Sequence, residues 1–72
     1  MHGLVVKYHK KKKRRPYGFI CGYDGEEYFF NEKMLKDEVH EGDEVKFREG
    51  FNERGFYARD VQLLGKDENG WF

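Results

Sequence analysis

Seventy-two residues make one domain near the lower limit for a chain that folds alone, with little room for an enclosed catalytic cleft. The 14 Lys and Arg balance the 14 Asp and Glu, but residues 1–23 hold seven bases and no acid, whereas residues 24–72 hold the other seven bases and every acid. This division excludes a polyanion from most faces and admits it on one, a conclusion the zero net charge hides.

Lone Cys21 cannot form an intramolecular disulfide, which fits a reducing compartment. No apolar run approaches the roughly 20 residues needed to span a bilayer. The opening MHGLVVKYHKKKK has too short an apolar segment, with its charge on the wrong side, for a secretory signal. The expected location is therefore cytoplasmic, with the nucleus left open, and no membrane partner is expected.

Along the chain, Gly3–His9 (GLVVKYH) is short and β-branched and reads as a first strand. Lys10–Arg14 reads as a charged loop that self-repulsion keeps open. Arg15–Gly22 and Glu26–Asn31 are rich in aromatic and β-branched residues and flank Asp24-Gly25, a strong hairpin signal because the turn needs positive φ. Glu32–Glu41 (EKMLKDEVHE) reads as a short turn or irregular link whose Met34 or Leu35 plugs one end of the core. After Gly42 comes a strand, DEVKFRE, with Val45 and Phe47 alternating against Glu44, Lys46 and Arg48. Gly50–Gly55 is read as a turn, Phe56–Leu64 as a last strand, and residues 65–72 as a flexible tail in which Trp71-Phe72 is loose. Five strands without a convincing long helix point to an all-β fold, a small closed barrel that leaves no sheet edge. Periodicity alone does not separate it from an SH3-like barrel.

Strand side chains alternate between faces. With Ile20, Tyr28 and Phe30 entering the core, Tyr17, Phe19 and Phe29 stand side by side toward solvent. Adjacent exposed rings beside a basic block form a platform for flat partners, of which nucleobases are the commonest. Cross-strand pairs that stabilise the sheet would leave the same rings in place. A solvated loop or a nuclear-localisation signal would likewise account for the lysine run. His2, His9 and His40 share no metal-ligand spacing with Cys21. Neither paired carboxylates nor a Ser-His-Asp set stands out, so no enzyme activity, cofactor, metal or small-molecule substrate is expected.

PYGFI (Pro16–Ile20) resembles the first ribonucleoprotein motif of cold-shock domains, K-G-F-G-F-I, and EYFFN (Glu27–Asn31) resembles the second, D-V-F-V-H. Gly3 with Val6-Lys7-Tyr8 is similar to their opening G-x-V-K-W, Glu41–Phe47 to E-G-x-x-V-x-F, and Arg54-Gly55 with Ala58 and Val61 to R-G-P-x-A-x-N-V. The resemblance runs from Gly3 to Leu64. It implies a five-stranded antiparallel OB-fold barrel over residues 1–64 that binds single-stranded RNA or DNA as a monomer, in the manner of an RNA chaperone or a regulator of transcription or translation. Carried over residue by residue, Tyr17, Phe19 and Phe29 become stacking rings and Tyr8 stands where the family has a stacking Trp. Lys7 becomes a phosphate or base contact, Arg15 matches the Lys of the first motif and Arg54 the Arg of the late loop, and Asn31 replaces the usual His; Lys13, in the basic loop, is expected to add phosphate neutralisation.

The departures are specific. Pro16 replaces a Gly and cannot donate to a ladder, so the strand starts there or runs at an edge. The basic loop is longer and more positive than the family's, the link before Gly42 is shorter and lacks its frequent aromatic, and Glu32 replaces a further ring. Strict alternation puts Tyr8 on the inward side with Leu4 and Val6, so a bulge near Lys7 is needed for it to face a base. Two other readings remain at this point: an SH3-like module that binds a Pro-rich peptide, and an OB-fold translation-factor domain that contacts ribosomal RNA.

Overall fold

The computed structural model describes residues 1–10 and 13–64; Lys11-Lys12 of the basic loop and the expected tail with Trp71-Phe72 lie outside the described residues. The described residues form five strands, β1 (His2–His9), β2 (Tyr17–Gly22), β3 (Glu27–Asn31), β4 (Glu44–Asn52) and β5 (Gly55–Leu63), with a 3-10 turn at Glu32–Met34. The strands close into a barrel in the order β1-β2-β3-β5-β4, with β4 also paired to β1. Among the described residues no helix is long and apolar enough to cross a membrane.

The closed β-barrel expected from the strand count is present, but it is not purely antiparallel. β3 and β5 run parallel, with Phe29 opposite Tyr57. Simple counting requires this, because an odd number of strands closed into a ring cannot alternate direction throughout. The closed five-stranded order with its parallel contact is the OB arrangement, which removes the SH3-like alternative.

The β2–β3 hairpin forms as its residues dictate. Pro16 lies just outside β2, where its missing N–H costs nothing, and its carbonyl accepts from the Glu32 N–H at 3.0 Å. Gly25 takes φ 90°, and the Asp24 carboxylate accepts from the Glu26 N–H at 3.0 Å, closing the turn. The inner faces of the barrel bring together Val5, Ile20, Tyr28, Phe30, Val39, Val45, Phe47, Ala58 and Val61. Tyr28 packs against Phe47 at 4.9 Å between ring centroids, and its hydroxyl donates to Asp24 at 2.6 Å, so the one polar atom of this buried ring is satisfied.

Three expectations need correction. In β1 the buried residues are Gly3 and Val5, the latter 1% exposed, while Leu4 and Val6 are 37% and 39% exposed. Val5 pairs with Ile20 on the inner face, and the inner set of β2 decides which set of β1 turns in. Of the apolar residues in the Glu32–Glu41 link it is Val39 that is fully buried in the core, whereas Met34 and Leu35 are partly buried and pack against it. A parallel bridge from Leu35 to Val61, extended by the Lys36 N–H to the Val61 carbonyl at 2.8 Å, fixes that segment. Finally, β4 continues through Gly50, Phe51 and Asn52, so the turn to β5 is tighter than expected. The Asn52 side chain accepts from the Arg54 N–H at 2.8 Å and shapes it.

Candidate nucleic-acid interface

The outer face of the β1–β2–β3 sheet is built by register. Val5 pairs with Ile20, but the next β1 residue paired to β2 is Lys7, opposite Phe19. Val6 is the extra residue of a bulge, and the bulge moves β1 by one step. Lys7 and His9 therefore share a face with Phe19 and Tyr17, while Tyr8, opposite Gly18, turns toward the core. The consequence is a row that crosses the sheet, Lys7 to Phe19 to Phe29 to Tyr57. Beside it runs a second row, His9 to Tyr17 to Asn31.

The rings of these rows touch one another and remain half-buried. Tyr17 and Phe29 lie 6.1 Å apart and near parallel, at 28°. Phe19 meets both edge-on, at 5.9 Å from Phe29 and 6.3 Å from Tyr17. His9 leans on Tyr17 at 5.0 Å and 38°. None of the three expected platform rings belongs to the barrel core. The cluster presents ring faces and edges on a rigid sheet, as a surface for stacking requires.

Cations flank it unevenly. Lys7 is exposed at the end of the Phe19 row, and Lys13, Arg14 and Arg15 are exposed on the approach to β2. Lys10 lies 4.9 Å above the Tyr8 ring and 3.7 Å from the Glu38 carboxylate, so it is already engaged within the protein. Arg54 is exposed on the β4–β5 turn, across a hollow from the platform. That hollow, of about 290 Å³, lies among Phe19, Phe29 and Tyr57 of the sheet and Asn52, Arg54 and Phe56 of the hairpin, with Met34 also lining it.

Tyr8 sits apart from the platform. Its ring packs edge-on to Phe30 at 5.2 Å and 60°, and its N–H donates to Glu41 at 3.0 Å. Burial, and then the Glu32 and Glu38 carboxylates, push its phenol above the ordinary tyrosine value. The bulge thus has the opposite effect on Tyr8 from the one expected, since it turns the ring inward and brings Lys7 and His9 out. Asn31 uses its side-chain oxygen as the cap of the 3-10 turn, accepting from the Lys33 N–H at 2.9 Å.

Two residues of this face, His9 and Tyr57, are not singled out by the sequence pattern, and neither is Phe56, which lines the hollow beside it. His9 follows from Lys7 by simple alternation once the bulge is known. Tyr57 alternates with buried Ala58, but its place beside Phe29 depends on the order of strands. Among the described residues, no group of three or more His, Cys, Asp or Glu is placed to hold a metal ion. No known protein family's sequence model matches this chain, and no curated protein matches it.

Proposed function

We propose that this protein binds single-stranded RNA or DNA by stacking bases on Tyr17, Phe19 and Phe29, and that it does so without catalysing a reaction. One observation carries the proposal. Three mutually touching rings stand outside the core of an OB-type barrel, and two of them, Phe19 and Phe29, share a row with Lys7 and line a hollow with Arg54. A ring that contributes to stability alone gains most from full burial, and these three have foregone it. Stacking contributes about 1–3 kcal/mol per base by alanine substitution and tolerates sequence, since every base has a π-face.

The motif resemblance to cold-shock domains supports the same reading, because the resembling segments Pro16–Ile20 and Glu27–Asn31 supply the rings. In that reading the protein works in the cytoplasm as an RNA chaperone or as a regulator of transcription or translation, and acts as a monomer. Lys7, Lys13, Arg15 and Arg54 neutralise phosphates, Asn31 lies at the edge of the strand's path, and Tyr8 supports the sheet from beneath. The double variant Phe19→Ala/Phe29→Ala tests it. Affinity for an unstructured oligonucleotide falls at least about tenfold if each ring stacks a base. A folded double variant that binds like the original protein would falsify the platform. Equal affinity for structured and unstructured RNA would favour a domain that docks on folded ribosomal RNA.

A further inference from the structure

The row that begins at Lys7 does not end at Phe29. Phe29 stands opposite Tyr57, and Tyr57 stands opposite Gly50 of β4. A Cβ at Gly50 would collide with the far end of the Tyr57 ring, so that ring lies over the β4 backbone. Beside the β3–β5 seam lies the hollow of about 290 Å³, close to the size of the smallest pockets that hold a small molecule, about 300 Å³. Its apolar lining is Phe19, Phe29, Tyr57, Phe56 and Met34, and its polar lining is Asn52 and Arg54. Both polar groups face an occupant chiefly as donors. Asn52 already uses its side-chain oxygen on the Arg54 N–H at 2.8 Å, which leaves the N–H donors of that amide. The exposed Arg54 guanidinium carries five N–H donors and no acceptor.

We propose that one base of the bound strand enters this hollow, with its face against Phe29 and Tyr57 and its edge toward Arg54, and that the base selected is guanine. The inference rests on the platform reading and adds to it one position at which sequence is read. Phe19 and Phe29 belong to the platform and to the hollow alike, so a strand lying on the rings has its next base here. Apolar walls suit a flat base and disfavour a phosphate, whose desolvation among them is costly. Donors on the polar side select an edge made of acceptors. Guanine offers O6 and N7 side by side, which match the guanidinium fork. Adenine sets an N6 donor beside its N7, cytosine carries an N4 donor, and thymine or uracil has only O4 on that edge. The guanidinium stays charged while it reads the base, so its attraction for the nearby backbone is kept.

The test walks a single guanine through an oligothymidylate of about eight nucleotides. Each strand's affinity is expressed relative to the all-thymidine strand, for the unmodified protein, Arg54→Lys and Arg54→Ala. In the unmodified protein guanine raises affinity at one position, about fivefold or more. Hypoxanthine there keeps the gain because it retains O6 and N7, whereas 7-deazaguanine and adenine lose it. Arg54→Lys loses the gain but keeps the slope of affinity against salt, since an ammonium has the charge without the fork. Arg54→Ala loses the gain as well. Both variants keep the turn, which uses the Arg54 N–H and not its side chain. Equal affinity for guanine and thymine at every position in the unmodified protein overturns the guanine subsite and leaves the platform standing. A gain that survives in Arg54→Ala, or with 7-deazaguanine, overturns it equally. So does an Arg54→Ala that weakens all strands alike and lowers the salt slope, which would make Arg54 a phosphate contact alone. Failure of the unmodified protein to bind any strand overturns the platform reading and this one together.

Discussion

Lys7 stands opposite Phe19, one residue out of step with the Val5–Ile20 pair that precedes it. That single step places a cation at the head of a row of rings and removes Tyr8 from it. Because Lys7 is exposed and lies away from the core, its replacement tests electrostatics without disturbing packing. Lys7→Ala is expected to weaken binding of single strands, and to reduce the slope of log K against log salt by about 0.7 if it neutralises one phosphate. Fluorescence titrations at several salt concentrations measure both. An unchanged slope would remove Lys7 from the phosphate path.

Phe29 and Phe30 are neighbours with opposite fates. Phe30 is fully buried, and Phe29 is half-buried on the platform. Phe30→Ala is expected to cost about 3–5 kcal/mol of stability, as truncation of a core aromatic does. For a domain of this size that is a large part of the total. Phe29→Ala is expected to cost distinctly less stability and more affinity. Urea unfolding of the two variants, set beside their binding curves, checks the reversal.

The hairpin carries a pH-sensitive contact. The Tyr28 hydroxyl and then the Glu26 N–H hold the Asp24 carboxyl below its ordinary value, while the same hydrogen bond to Asp24 pushes the Tyr28 phenol well above its own. A lowered carboxyl contributes stability that is present above the unfolded value, about pH 3.9, and lost as pH falls through the folded one. A raised phenol contributes stability that is present below about pH 10 and lost as pH climbs toward its folded value. Tyr28→Phe should therefore be less stable than the original near neutrality, with the difference shrinking toward both extremes. Denaturation midpoints across that range would show a constant difference if the hydrogen bond contributed nothing.

Asp60 adopts φ 53°, at the point where β5 places two residues against Phe47 of β4. Left-handed backbone costs a side-chain-bearing residue roughly 1–2 kcal/mol, less for Asp than for others. The Asp60 ion pair with Arg48 at 3.9 Å is largely exposed and offsets little of this. Asp60→Gly is thus expected to be neutral or slightly stabilising and Asp60→Val destabilising by about 1–2 kcal/mol. Thermal unfolding of the pair measures it; equal effects would mean that the backbone there is unstrained.

The hairpin and its two faces were legible because alternation is local. Once Ile20 faces in, so do Tyr28 and Phe30, and Tyr17, Phe19 and Phe29 must face out. The β1 contribution was not legible. Val6 is as β-branched as Val5, and nothing in the sequence marks it as the residue that bulges. That at least one pairing had to be parallel was available by counting strands, but not that it joins β3 to β5. Tyr57 beside Phe29, however, joins residues 28 positions apart through strand order, which no local pattern encodes. Val39 illustrates the same limit, since Met34, Leu35 and Val39 are all apolar and only the folded structure shows that Val39 is the one fully buried.

The most direct measurement is a backbone and side-chain NMR titration with a short oligopyrimidine. Resonances of Lys7, His9, Tyr17, Phe19, Phe29 and Tyr57 should move together, along one path to saturation, while those of Lys46 and Gln62, paired on the β4–β5 ladder, stay in place. Perturbation centred on Lys46 and Gln62 of the β4–β5 ladder, or no saturable change at any accessible concentration, would contradict the assignment of this sheet face to single-stranded nucleic acid.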